Sequence, residues 1–92
     1  MLQVEYTGQF KRDLKLSKRR KKNMAALQKI METIEQEKQL SPRLRDHVLT
    51  GNWVGHRELH IEPDWLLIYK QIPKENTVIF IRTGTHSDLF KK

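Results

Sequence analysis

Five residues in the second half of the chain carry types suited to proton transfer and phosphate chemistry. They are His47, His60, Asp64, Arg82 and His86. Trp65 and Phe90 lie beside them in sequence and offer aromatic faces. RNA cleavage without a metal needs a base for the 2′-hydroxyl proton and an acid for the departing 5′-oxygen. It also needs a cation on the phosphorane. A histidine titrates near ~6.5 when unperturbed, so it serves either proton transfer at neutral pH. Arginine presents a fixed fork of donors to phosphate oxygens, and an aromatic ring stacks on a base. The residue types therefore suffice for a ribonuclease, although composition alone does not demand one.

Other chemistries fit less well. The chain has no cysteine, which excludes disulfides and thiolate zinc sites. His56 and His60 are four apart, a metal-ligand spacing on a helix. On a strand the same spacing separates them by ~13 Å, too far to share an ion, so no metal or other cofactor is expected. "THSD" (85–88) holds Ser, His and Asp together, but triad members converge from separated positions. Read as extended chain, these residues point apart. Gly51, Gly55 and Gly84 stand alone, so no phosphate-cradling loop is present.

The elements that must position the set follow from periodicity. "LQVEY" (2–6) alternates as a short strand. Thr7 caps a helix bearing Phe10 and Leu14, and Asn23 caps a second helix. The second carries Met24, Leu27, Ile30, Met31 and Ile34 on one stripe. Pro42 cannot continue it. Beyond it the period changes to two. "WVGHRELHIE" (53–62) alternates, with Trp53, Leu59 and Ile61 on one face and His56, Glu58, His60 and Glu62 on the other. "PD" (63–64) favours a turn. "WLLIYKQI" is apolar on both faces, as a central strand is. "PKEN" turns again, and "TVIFIRTGT" (77–85) is the last strand. The expected architecture is α+β in one domain over 1–92: an N-terminal strand and a two-helix hairpin packed on one face of a small antiparallel sheet. Simple alternation puts Ile79, Ile81, Leu59 and Ile61 toward the helices. It leaves His60, Val78, Phe80 and Arg82 on an open face.

Charge adds a partner class. The 92 residues contain 18 Lys/Arg and 11 Asp/Glu, a net +7. All of that excess lies in residues 1–45, and most of it in "KRDLKLSKRRKK" (11–22). Lys11, Arg12, Lys15, Lys18, Arg19, Arg20, Lys21 and Lys22 form a block that attracts polyanions. A nucleic acid, the ribosome or an acidic protein segment would suit it. The N-terminus lacks the apolar run of a signal peptide, and no stretch approaches a membrane span, so a cytoplasmic location is expected.

"RDHVLTGNWVGHRELHIEPDWLLIY" followed by "RTGTHSDLF" resembles the YafQ branch of the RelE superfamily of bacterial toxins, and the resemblance runs over essentially the whole chain. It implies a RelE-like fold and a type II toxin that enters the ribosomal A site. There it cuts the bound mRNA by 2′-hydroxyl attack without metal. By motif, the resemblance carries function onto His47, His60, Asp64, Trp65, Arg82, His86 and Phe90. His86 would be the general acid and Arg82 the phosphate cation. His60 or His47, aided by Asp64, would be the base. Trp65 and Phe90 would position the mRNA, and the basic block would bind ribosomal RNA. The resemblance also implies a small antitoxin partner, through which the complex binds operator DNA. Two rival readings share these features in part: a gyrase-inhibiting toxin of the same fold, as in the ParE branch, and an RNA- or ribosome-binding module. Neither needs the histidines.

Overall fold

The computed structural model describes residues 1–90. Its chain order is β1 (Gln3–Tyr6), α1 (Gly8–Arg19), α2 (Met24–Glu35), β2 (His47–Val48), β3 (Arg57–Glu62), β4 (Trp65–Ile72), β5 (Thr77–Gly84) and α3 (His86–Phe90). The strands form one sheet in the order β1-β5-β4-β3-β2. The expected α+β architecture is present, with β4 central as its two-sided apolar sequence requires. The sheet is not wholly antiparallel, because β1 runs parallel to β5. The crossover is made by α1, α2 and the strands that follow them.

Local chemistry sets the helix ends. The Thr7 hydroxyl accepts from the Phe10 N–H at 2.9 Å and donates to the Ile81 carbonyl at 2.8 Å. One side chain thus caps α1 and pins its start to β5. Asn23 caps α2 through the Ala26 N–H at 3.1 Å. The stripe of α2 and Phe10 of α1 pack on one sheet face against Leu59, Trp65, Leu67, Tyr69, Val78 and Phe80. Phe10 and Phe80 stack with centroids 5.8 Å apart at the centre of this core.

Two expectations about the sheet faces are corrected. Val78 and Phe80 belong to the helix-side core, and Ile81 packs on the other face with Leu66 and Ile68. The cause is a register shift. Tyr69 pairs with Phe80 and Ile68 with Arg82, so Ile81 is an extra residue on β5. A single inserted residue inverts the facing of everything before it. The opposite face is also not open. The five-residue α3 lies over it, burying Leu89 against Leu66 and Ile68. Trp53, expected at the start of a strand, instead sits in the Gly51–Trp53 turn and closes the same cluster. Residues 85–88 are accordingly not extended: His86 opens a helix. Among the described residues no helix is long and apolar enough to cross a membrane.

Candidate active site

Three of the four histidines converge on the α3 side of the sheet. Strand β2 pairs His47 with Glu58, and β3 pairs His60 with Leu66. The turn at Pro63 and Asp64 joins β3 to β4, and β5 delivers His86 at the start of α3. The His47 and His60 rings stack with centroids 6.2 Å apart, and His60 and His86 follow at 5.9 Å. Phe90, one helical turn beyond His86, continues the row at 6.4 Å and meets the edge of Trp53 at 6.2 Å. The result is a column of three imidazoles ending on an aromatic ledge.

Hydrogen bonds orient the outer two rings. His47 Nδ1 donates to the Arg45 carbonyl at 2.7 Å, since a carbonyl can only accept. Its Nε2 lies 3.5 Å from Glu58, an ion pair whenever the ring carries both protons. Glu58 is only 5 % exposed and is a site residue that sequence reading passed over. Its place two residues before His60 on an alternating strand was the available signal. His86 Nδ1 lies 2.5 Å from Asp64 Oδ1, and the His86 backbone N–H donates to the same oxygen at 2.9 Å. These two bonds, the backbone one foremost, hold the Asp64 carboxyl below its usual range. Asp64 therefore serves His86, not His60 or His47. Its contact is with a different histidine from the two it is expected to support. Among the described residues, the buried Nδ1 of His60 has no hydrogen-bond partner.

Arg82 and Trp65 are held by contacts outside the histidine column. The Arg82 guanidinium is clasped by Asp13 of α1, Nε to Oδ2 at 2.8 Å and Nη2 to Oδ1 at 3.1 Å. Asp13 is 5 % exposed and also accepts from the Thr83 N–H at 3.1 Å. This pairing holds the guanidinium above its usual range. Nη1 has no partner among the described residues. Trp65 is 1 % exposed and packs in the helix-side core. No face of its ring is available to a base, so the expected stacking role does not fit, and its burial supports the turn that carries Asp64.

The basic block divides in two. Lys11, Arg12, Lys15, Lys18, Arg19 and Lys21 are exposed, while Asp13 and Ser17 turn inward with Phe10. Arg20 is committed to Asp88 of α3 at 2.7 Å, and Lys22 lies 3.6 Å from Glu62 and over the Trp65 ring. Asp88 also accepts from the Thr85 N–H at 2.9 Å, and its own N–H donates to Thr85 Oγ1 at 3.1 Å. Arg20 and this reciprocal cap hold the Asp88 carboxyl down at about 2. The end of α1 thus fastens the helix that presents His86.

A mixed five-stranded sheet with two helices on one face and a histidine column under a short third helix defines a small toxin-like α+β domain of the RelE type. The sequence profile described as "Bacterial toxin of type II toxin-antitoxin system, YafQ" matches residues 2–91. The chain belongs to that YafQ family. It is 43 % identical over 88 residues to the mRNA interferase toxin YafQ of Escherichia coli K12, covering 95 % of this chain and 94 % of that one. The crystal structure of YafQ from E. coli BL21(DE3) superimposes with a TM-score of 0.91 at 40 % identity, over 98 % of this chain and 99 % of the other. The E. coli DinJ–YafQ complex gives 0.87 at 42 % identity, with the same 98 % and 99 % coverage.

Proposed function

We propose that this chain is an mRNA interferase that cuts mRNA in the ribosomal A site by 2′-hydroxyl attack, with no metal taking part. The observation that carries the reading is the His60–His86 pair, 5.9 Å apart, with Asp64 on the far nitrogen of His86. Two imidazoles at that separation can each reach a different oxygen of one phosphorus centre. The Asp64 carboxylate takes up Nδ1 of His86 and leaves Nε2 as the nitrogen that meets substrate. His86 is then the general acid for the 5′-oxygen. His60 accepts the 2′-hydroxyl proton, with His47 stacked behind it as the alternative base. Arg82, preset by Asp13, offers Nη1 to the phosphorane. Phe90, backed by Trp53, receives a base.

The exposed lysines and arginines of α1 suit ribosomal RNA, whose phosphates they neutralise with counterion release. The solved DinJ–YafQ toxin-antitoxin complex of the E. coli relative supports an antitoxin partner here; the same reading has the complex meet operator DNA through that antitoxin. The same reading places the protein in the cytoplasm, where its substrate is translated. Primer extension on mRNA held in a ribosomal A site, with chelator present, tests it. Cleavage by the wild type and none by His86→Ala is expected. Growth arrest on expression without any cleavage would overturn it in favour of a binding-only or gyrase-directed toxin.

A further inference from the structure

Beside the histidine column lies a cleft of about 520 Å³, lined by His60, His86 and Glu62 together with Arg43, Leu44 and Arg45. Arg43 and Leu44 belong to the Pro42–Leu44 turn, which precedes β2. Ser41 caps it through the Arg43 N–H, and Arg45 closes it in the left-handed region at φ 54°. The Arg45 carbonyl is the acceptor that orients His47. The turn is thus fixed to the site on its backbone side, while both arginine side chains are exposed. Neither guanidinium has an acidic partner among the described residues. The nearest acid in sequence, Asp46, is taken by Arg57 at 2.7 Å and by the Tyr69 hydroxyl. The one carboxylate of the cleft, Glu62, is paired with Lys22.

Two exposed arginines without an acidic partner, on residues that line one cleft with His60 and His86, describe a phosphate track. We infer that Arg43 and Arg45 bind the phosphodiester backbone of the mRNA nucleotides adjoining the scissile bond. Arginine's planar fork suits phosphate oxygens, and a fixed backbone limits the entropy lost when it binds. The track is separate from the Lys15–Lys18–Arg19 patch of α1, which faces its own shallow surface. The inference rests on the mRNA reading above and adds where the strand runs.

The test is the affinity of the toxin for ribosomes with and without mRNA. The mRNA carries 2′-O-methyl groups at the A-site codon, so that it binds uncleaved. The proteins are the wild type and the Arg43→Gln/Arg45→Gln double variant, checked for native melting. Each single-strand phosphate contact contributes about −0.7 to the slope of log affinity against log salt. Between about 50 and about 200 mM salt, wild-type affinity for mRNA-loaded ribosomes should therefore fall about sevenfold more than that of the double variant. On ribosomes without mRNA the two proteins should have equal slopes. An equal loss of slope on both kinds of ribosome would assign the arginines to ribosomal RNA and overturn the inference, as would no loss on either. Failure of the wild type to cut the unmodified mRNA in the same preparation would instead sink the nuclease reading itself.

Discussion

Asp13 has no part in the chemistry, yet the structure makes Asp13→Asn a sensitive test of how the site is built. The carboxylate takes two bonds from Arg82 and one from the Thr83 N–H, and it is 5 % exposed. Removing one member of a fully buried ion pair costs about 3–5 kcal/mol. The Arg82 side chain is 23 % exposed and so regains some hydration, and the asparagine carbonyl keeps one acceptor. The expected cost is therefore lower, about 2–3 kcal/mol. For a domain of this size that lowers the melting temperature by roughly 10–20 °C. A cycle with Arg82→Met should give a coupling of about 1–2 kcal/mol. Well below the new melting temperature, the loosened Arg82 should also reduce kcat/KM for mRNA cleavage about tenfold, equivalent to ~1.4 kcal/mol. Thermal melting and single-turnover cleavage measure both effects. A melting shift under about 4 °C, or full activity in the folded variant, would refute the claim that Asp13 presets Arg82.

Four further outcomes follow from the contacts described above. The Asp88 carboxyl is depressed, so its contribution is present above the ordinary carboxylate range and is lost as pH falls from 3.8 toward about 2. After solvent screening it amounts to about 1 kcal/mol, and acid titration of stability should lose that limb in Asp88→Asn. A Cβ at Gly84 would meet Asp88 Oδ2 at 2.9 Å and Asp88 Cβ at 3.0 Å. Gly84→Ala should therefore displace α3 and cut the cleavage rate more than it lowers the melting temperature, which parallel rate and melting curves would reveal. Phe90→Ala should raise KM for mRNA with little loss of stability. Trp65→Phe should do the reverse, destabilising by about 1–3 kcal/mol through lost packing, and a KM effect confined to Trp65→Phe would restore it as the stacking residue.

Much of this was legible in the sequence, because the helices carry their own start signals. Thr7 and Asn23 mark the starts observed, whereas α2 stops at Glu35, ahead of Pro42, which opens a separate turn. β4 declares its central place by being apolar on both faces from Trp65 to Tyr69. What alternation could not show was Ile81, because an inserted residue leaves no mark on composition yet reverses the faces of Val78 and Phe80. The histidines were legible as a set, but their partners were not. Asp64 belongs to His86 only because the Pro63–Asp64 turn lies against the start of α3, a contact across 22 positions. Likewise Asp13 reaches Arg82 across 69 positions, and nothing local at either residue announces it. Trp65 could be placed near the site by position but not by depth. The burial of its ring depends on the helices packed over it.

The central claim is that His86 protonates the leaving 5′-oxygen while His60 takes the 2′-hydroxyl proton. A 5′-bridging phosphorothioate at the scissile position tests it directly, because a thiolate leaves without protonation. On all-oxygen mRNA in the ribosomal A site, His86→Ala and His60→Ala should each lose about 10²–10⁴-fold in rate. With the sulfur leaving group, His86→Ala should return to near the wild-type rate and His60→Ala should stay slow. Rescue of His60→Ala instead, or of neither variant, would contradict the account.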